Sequence, residues 1–229
     1  MTKVSVVIPT MNEEASIGRV IDEVRVALLG WEHEILIVDT DSRDRTRELA
    51  AAKGACVVDE PRRGYGRAYK TGFAAATGDI LATLDADFTY PADRIPEFAR
   101  LVSSGEADFV SGDRLSQIRD DAMSGMHRVG NAILNMTFRR LFGFPIRDSQ
   151  SGMWVFRRAI LDGLQLYSDG MAFSEELKAA AIQGGLRLRE IPIAYRARVG
   201  EKKIRSVRDA IKNEVWLFRK RLGWTRPGP

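Results

Sequence analysis

Within the first 84 residues four short aliphatic runs alternate with segments of helix length. The runs are VSVVI (4–8), EILIV (34–38), ACVVD (55–59) and ILATL (80–84), and the segments between them are 13–29, 44–53 and 66–77. Each run has the length of a strand and is bounded by polar or turn residues. The segments between carry Ala, Leu, Glu and Arg at helical spacing. Strands that are apolar on both faces must be covered on both faces, so the βαβαβαβ order predicts an α/β fold with a mostly parallel central sheet and helices on either side. Beyond it, DFVSGDR reads as a fifth strand, 126–142 as a helix, GMWVFRR as a strand, 173–183 as a helix and 186–195 as an extended piece. A final helix is expected over about 203–222, and there is no internal repeat.

A sheet of this kind binds its ligand at the carboxyl ends of its strands. Those ends are followed by PTMNE, DTDSRD, EPRRGYGR and DADFTYP, four polar loops expected on one rim. Two nucleotide-binding classes are excluded. A dinucleotide fold needs G-x-G-x-x-G directly after the first strand, where PTMNEE stands; the GYG of 64–66 comes two strands late, with Tyr69 in the third glycine's place. No G-x-x-x-x-G-K-[ST] occurs either. Cys56, the only cysteine, is expected in a buried strand and forms no thiolate cluster. His33 is expected in a loop, and His33 and His127 match no metal spacing.

In DADFTYP, Asp85 and Asp87 are one residue apart, and like charges so close call for a cation between them or for a helix start that tolerates acids. Glu13 and Asp44 also read as acids complementing a helix N-terminus, a reading preferred for Asp44.

The pieces VVIPTMNEE, IVDTDSRDRT, GYGRAYKTGF, TLDADFTYP, SGDR, DSQSGMWVFRR, FSEEL, EIPIAY and RVGEKK occur in an order, from residue 4 to about 203, that resembles family 2 glycosyltransferases with the GT-A fold. Within that family the chain is similar to the dolichyl- and polyprenyl-phosphate sugar synthases, the group of dolichyl-phosphate mannose synthase. The resemblance implies a Rossmann-like GT-A catalytic domain over 1–200 and inverting transfer of a hexose from a GDP- or UDP-sugar to dolichyl or polyprenyl phosphate. It implies Mg²⁺ or Mn²⁺ as cofactor, with Asp87 as metal ligand and Asp85 beside it orienting ribose or the metal's water shell. Pro9, Thr10, Asn12, Glu13, Asp39, Asp41, Asp85 and Ala86 would hold the nucleotide, and Arg198 and Lys202, with Lys203 beside them, would close over the diphosphate. Thr40 and Asp41 stand where the family's V-D-D-G-S pattern has Asp and Gly, which leaves guanine and uracil both open.

Asp87, Arg114, Arg128 and Asp148 are the implied catalytic set. Arg114 and Arg128 match acceptor-phosphate arginines, with His127 and Asn131 flanking the second. Ser149, Ser151 and Gly152 would line the sugar and acceptor pocket, with Glu176 on its floor and Trp154 serving either as core or as sugar platform. A phosphate monoester is largely anionic at neutral pH, so the acceptor needs holding more than it needs a base.

From Gly200 onward nine Lys or Arg face three acids, so the tail carries the chain's net charge of +4 and the rest is slightly acidic. Residues 201–229 therefore read as a basic amphipathic helix that either lies on an anionic membrane or packs on the domain with a solvated basic side. With no run of roughly 18 apolar residues, the expected location is cytoplasmic, peripheral on a membrane. The competing readings are a related transferase with a soluble acceptor and a basic nucleic-acid-binding module; the acidic rim argues against the latter, and no nucleic-acid partner is expected.

Overall fold

The computed structural model describes residues 2–117 and 125–199, together with Val215, Trp216, Phe218, Arg219 and Arg221. The expected terminal helix therefore lies mostly outside the described residues, as do Lys202 and Lys203; the five described tail residues are helical.

The strands are β1 (Val4–Thr10), β2 (His33–Asp39), β3 (Cys56–Asp59), β4 (Ile80–Thr83), β5 (Phe109–Asp113), β6 (Trp154–Arg157) and β7 (Leu188–Pro192). They form one seven-stranded sheet in the order β3-β2-β1-β4-β6-β5-β7. Every pairing is parallel except those of β6, which runs against both β4 and β5. Reversal of β6 brings the turn that precedes it to the rim where the parallel strands end, opposite the loop that leaves β4.

The helices are α1 (Ile17–Ala27), α2 (Thr46–Ala52), α3 (Tyr65–Ala75), α4 (Ile95–Ser103), α5 (Gly125–Phe142) and α6 (Phe173–Gln183). Successive strand side chains point to opposite faces, and two cores result. Val4, Val6, Ile8, Ile35, Ile37, Ile80 and Ala82 pack with α1 and α4, which present Ile17, Val20, Ile21 and Val24, and Ile95, Phe98 and Val102, at helical spacing. Val7, Leu36, Val38, Leu81 and Trp154 pack on the other face with Tyr69 and Phe73 of α3 and Phe173 and Leu177 of α6. A third, smaller cluster joins Leu134 and Phe138 of α5 to Ile146 and Ala179, with Trp216 resting against it.

The mostly parallel sheet and its two covered faces match the sequence reading. Two local expectations do not hold. Cys56 is exposed, because β3 pairs only with β2 and forms the edge of the sheet. His33 opens β2 rather than sitting in a loop, and its Nδ1 lies 2.9 Å from the Trp31 carbonyl oxygen. Trp154 is fully enclosed in the core, which decides between its two readings.

Candidate active site

β4 ends at Thr83, whose hydroxyl donates to the Gly152 carbonyl (2.7 Å) and accepts from the Trp154 amide (2.9 Å). This stitch holds the acidic loop against the turn that enters β6. The chain then bends sharply, with Phe88 at φ +69°, a left-handed conformation that non-glycine residues seldom adopt. Its ring is gripped by the guanidinium groups of Arg19 (4.1 Å) and Arg196 (5.0 Å).

The two acids are held differently. Asp87 is buried; one oxygen accepts from the Thr89 hydroxyl (2.6 Å) and amide (3.2 Å), and the other pairs with Arg198 Nη1 at 3.2 Å. The other terminal nitrogen of Arg198 reaches Glu13 Oε1 at 2.9 Å, so one guanidinium bridges the loops after β1 and β4. Its Nε is buried without a hydrogen-bond partner among the described residues. Asp85 accepts from the Tyr65 hydroxyl at 3.1 Å. Its enclosure and the neighbouring Asp87 charge raise its pKa above the usual carboxylate range, against the Tyr65 bond and the charges of Arg114 and Arg198. Ala86, between them, is buried.

The loops after β1 and β2 form the next wall. Pro9 and Thr10 end β1, and the Thr10 hydroxyl donates to Asp39 at 3.1 Å. Asp39 also accepts from the Ser42 amide (3.1 Å) and Arg47 (3.3 Å). Asn12 and Asp41 both sit at positive φ, +53° and +52°. Asp41 thus occupies a backbone state that a glycine would accept at no cost, which accounts for a glycine in the pattern it departs from. Asn12 Oδ1 caps the Arg43 amide (2.8 Å), tying the two loops together. Asp44 binds the Thr46 amide (3.0 Å) at the start of α2, as its helix-start reading has it.

Across the rim stands the turn 148–153. Asp148 receives Nε and Nη2 of Arg114 at 2.7 and 2.8 Å and the Arg114 amide at 3.0 Å. Both are buried; enclosure works to raise the Asp148 pKa, but the Arg114 charge and hydrogen bonds outweigh it and hold the carboxyl below its usual range. Glu190 of β7 accepts the Arg147 and Asp148 amides (2.6 and 2.9 Å), and Asn135 of α5 accepts the Ser149 amide (2.8 Å). Lys178 of α6, fully buried, donates to the carbonyls of Asp148 (2.6 Å), Ser149 and Ser151 (3.2 Å each). Enclosure lowers its pKa to about 8.

The Ser149 hydroxyl donates to Glu175 at 3.1 Å, and Ser151, also buried, gives its carbonyl to the Trp154 indole N–H at 2.6 Å. The Gly152 amide donates to Tyr90 OH (2.7 Å), and a Cβ on Gly152 would stand 2.3 Å from Tyr65 OH and 3.4 Å from an Asp85 oxygen. Only a glycine lets the turn come this close to the acid loop. Glu176 accepts the Tyr167 and Ser168 amides at 2.7 Å each, so its carboxylate anchors the loop before α6. Arg128 and Asn131, half-buried, lie along the first half of α5.

Asp85, Asp87, Glu13, Arg198, Asp148, Arg114 and Gly152 thus meet around one rim. Sequence reasoning missed Tyr65, Tyr90, Asn135, Lys178 and Glu190, which hold these groups in place. Among the described residues no cluster of three or more His, Cys, Asp or Glu could cage a metal ion. Two adjacent hard carboxylates with an arginine already drawn to one of them do fit an ion of the Mg²⁺ type, which takes one or two carboxylates and completes its shell with water and phosphate oxygens.

A model of the family described as Glycosyl transferase family 2 matches residues 5–164. The low-salt glycan biosynthesis hexosyltransferase Agl6 of Haloferax volcanii is 35% identical over 98% of this chain, which spans 55% of that protein's length. A dolichyl-phosphate hexose transferase of the same organism is 34% identical over 87% of this chain and 86% of its own. Among solved structures, glucosyl-3-phosphoglycerate synthase from Mycobacterium tuberculosis, in complex with Mn²⁺, UDP and glucosyl-3-phosphoglycerate, superposes with a TM-score of 0.78 at 24% identity, covering 97% of this chain and 80% of that one.

Proposed function

This chain belongs to glycosyltransferase family 2, and on that premise we propose that it transfers a hexose from a nucleotide-diphosphate sugar to a polyprenyl or dolichyl phosphate, with inversion at the anomeric carbon. The observation that carries the reading is the contact of Gly152 with the Asp85 pocket, where an acidic loop suited to a metal-bound diphosphate touches a turn braced by Arg114 and Lys178. A relative of matching length that is named for dolichyl-phosphate hexose transfer supports the choice of acceptor.

In this reading Asp87 and Asp85 hold Mg²⁺ or Mn²⁺, which when bound supplies positive charge to the departing diphosphate. Arg198 moves from its carboxylate partners to diphosphate oxygens, for which its planar fork is suited, and Lys202 joins it. The loops carrying Glu13, Asp39 and Asp41 take the nucleoside. Arg128, with Asn131 next along α5, receives the lipid phosphate, which is already anionic and needs no general base. Asp148 keeps Arg114 aimed at the same space.

The acceptor is a lipid, and no described helix is long and apolar enough to cross a membrane. We propose that the protein meets this lipid while docked on the cytoplasmic surface of a membrane. Val129, Ile133 and Met136, at steps of four and three on α5, are exposed, and Arg139 and Arg140 follow them. Val215 and Phe218 are exposed beside the basic Arg219 and Arg221. Apolar side chains rimmed by arginines suit an anionic membrane, where each basic residue near the surface contributes about 1 kcal/mol.

The test is direct. Incubated with Mn²⁺, a membrane lipid extract and labelled GDP- or UDP-sugars, the protein is expected to carry one label into the organic phase. Label that stays in water with every donor, lipid and metal sinks the proposal.

A further inference from the structure

The GYG of residues 64–66 matches no dinucleotide motif, and the structure gives it another use. Gly66, in the first turn of α3, faces the loop before α6: a Cβ there would lie 2.5 Å from the Ser168 carbonyl oxygen and 2.6 Å from Phe173 Cβ. Its amide and that of Arg67 donate to the carbonyls of Gly170 (3.3 Å) and Asp169 (3.2 Å). The backbone on either side of Tyr65 is thereby clamped. Its ring stands edge-on to Tyr69, with centroids 4.9 Å apart, and its hydroxyl is delivered to Asp85 at 3.1 Å. That hydroxyl also occupies the space a side chain on Gly152 would need.

We propose that Tyr65 is a positioning residue for donor binding, acting through Asp85: its hydroxyl fixes the orientation of that carboxylate. The inference rests on the function proposed above. A carboxylate one methylene from a rigid chain can still rotate about its side-chain torsions, and a donor on one oxygen restricts that freedom. A hydrogen bond to a charged group is worth enough to change a binding constant by about tenfold.

The experiment is calorimetric titration of Mn²⁺ with GDP or UDP into the full chain and its variants. Tyr65→Phe keeps the ring and the α3 packing, and is expected to weaken nucleotide binding about tenfold with the melting temperature nearly unchanged. In an Asp85→Ala background the same substitution is expected to have no further effect, because its route has been removed. Should Tyr65→Phe fold poorly, Gly152→Ala displaces the hydroxyl from the opposite side and is expected to weaken nucleotide binding to a similar degree. Nucleotide binding within twofold of wild type in Tyr65→Phe or in a folded Gly152→Ala overturns the inference, as does an undiminished tenfold loss in the Asp85→Ala background. Absence of any binding by the wild-type protein overturns the proposed function along with it.

Discussion

Asp87 shows what a single side chain can be asked to do. Its carboxylate holds the Thr89 turn and pairs with Arg198, contacts at the rim that the two packed cores do not depend on. Asp87→Ala is therefore expected to abolish metal-dependent transfer while leaving a cooperative thermal transition, measured by label transfer beside a circular-dichroism melt; wild-type turnover in this variant refutes the metal assignment. The acid pair was legible because two carboxylates so close in a strand-end loop demand an explanation from charge alone. Lys178 was not. Helical spacing assigns a lysine on α6 to solvent, yet residues Phe173 to Ala181 of that helix are all buried, and the ammonium group is used to collect three carbonyls that a tight turn turns inward. Removing it strands the Asp148 and Ser149 carbonyls, while Ser151 keeps its bond from the Trp154 indole, a change of about 1–3 kcal/mol for each group left unsatisfied.

Between elements, polar side chains set how the strands begin. Glu34 of β2 accepts from Ser5 of β1, from Lys3 (3.1 Å) and from the amide and hydroxyl of Thr77 (2.8 and 2.9 Å) ahead of β4, knitting three adjacent strands at the end opposite the site. Partial burial works to raise its pKa, but these donors outweigh it and hold it at about 2, against 4.5 in the unfolded chain. A folded pKa below the unfolded one means stability that is complete above about pH 4.5 and lost as pH falls through about 2. Urea melts of wild type and Glu34→Gln at pH 5, 3 and 2.5 are expected to converge toward acid, the wild type losing more; parallel profiles contradict this. The strands themselves were readable because a sheet covered on both faces needs unbroken aliphatic runs. Their order was not. An edge strand and a central one can share a composition, which is why burial was expected for Cys56 although β3 lies at the exposed edge, and no local pattern announces that β6 runs backward between β4 and β5.

At the scale of the molecule, the described residues form a rim of converging loops and, on α5, a flank of exposed apolar side chains. If that flank docks on lipid, Ile133→Glu with Met136→Glu is expected to lower flotation on vesicles containing anionic lipid several-fold, and transfer to lipid acceptor with it, while Mn²⁺–nucleotide affinity stays at the wild-type value. Unchanged flotation removes α5 from the docking surface. The reversed strand carries a consequence for how the chain reaches this state. Thr83 and Gly152 are separated by 69 residues, yet they are hydrogen-bonded to each other. Contacts of such separation close large loops, and that entropy must be met before they contribute anything, so they belong to the slow, late part of folding. A chain emerging from the ribosome can pair β1, β2 and β4 early, but its rim is unfinished until β6 has slipped into place between strands made before it.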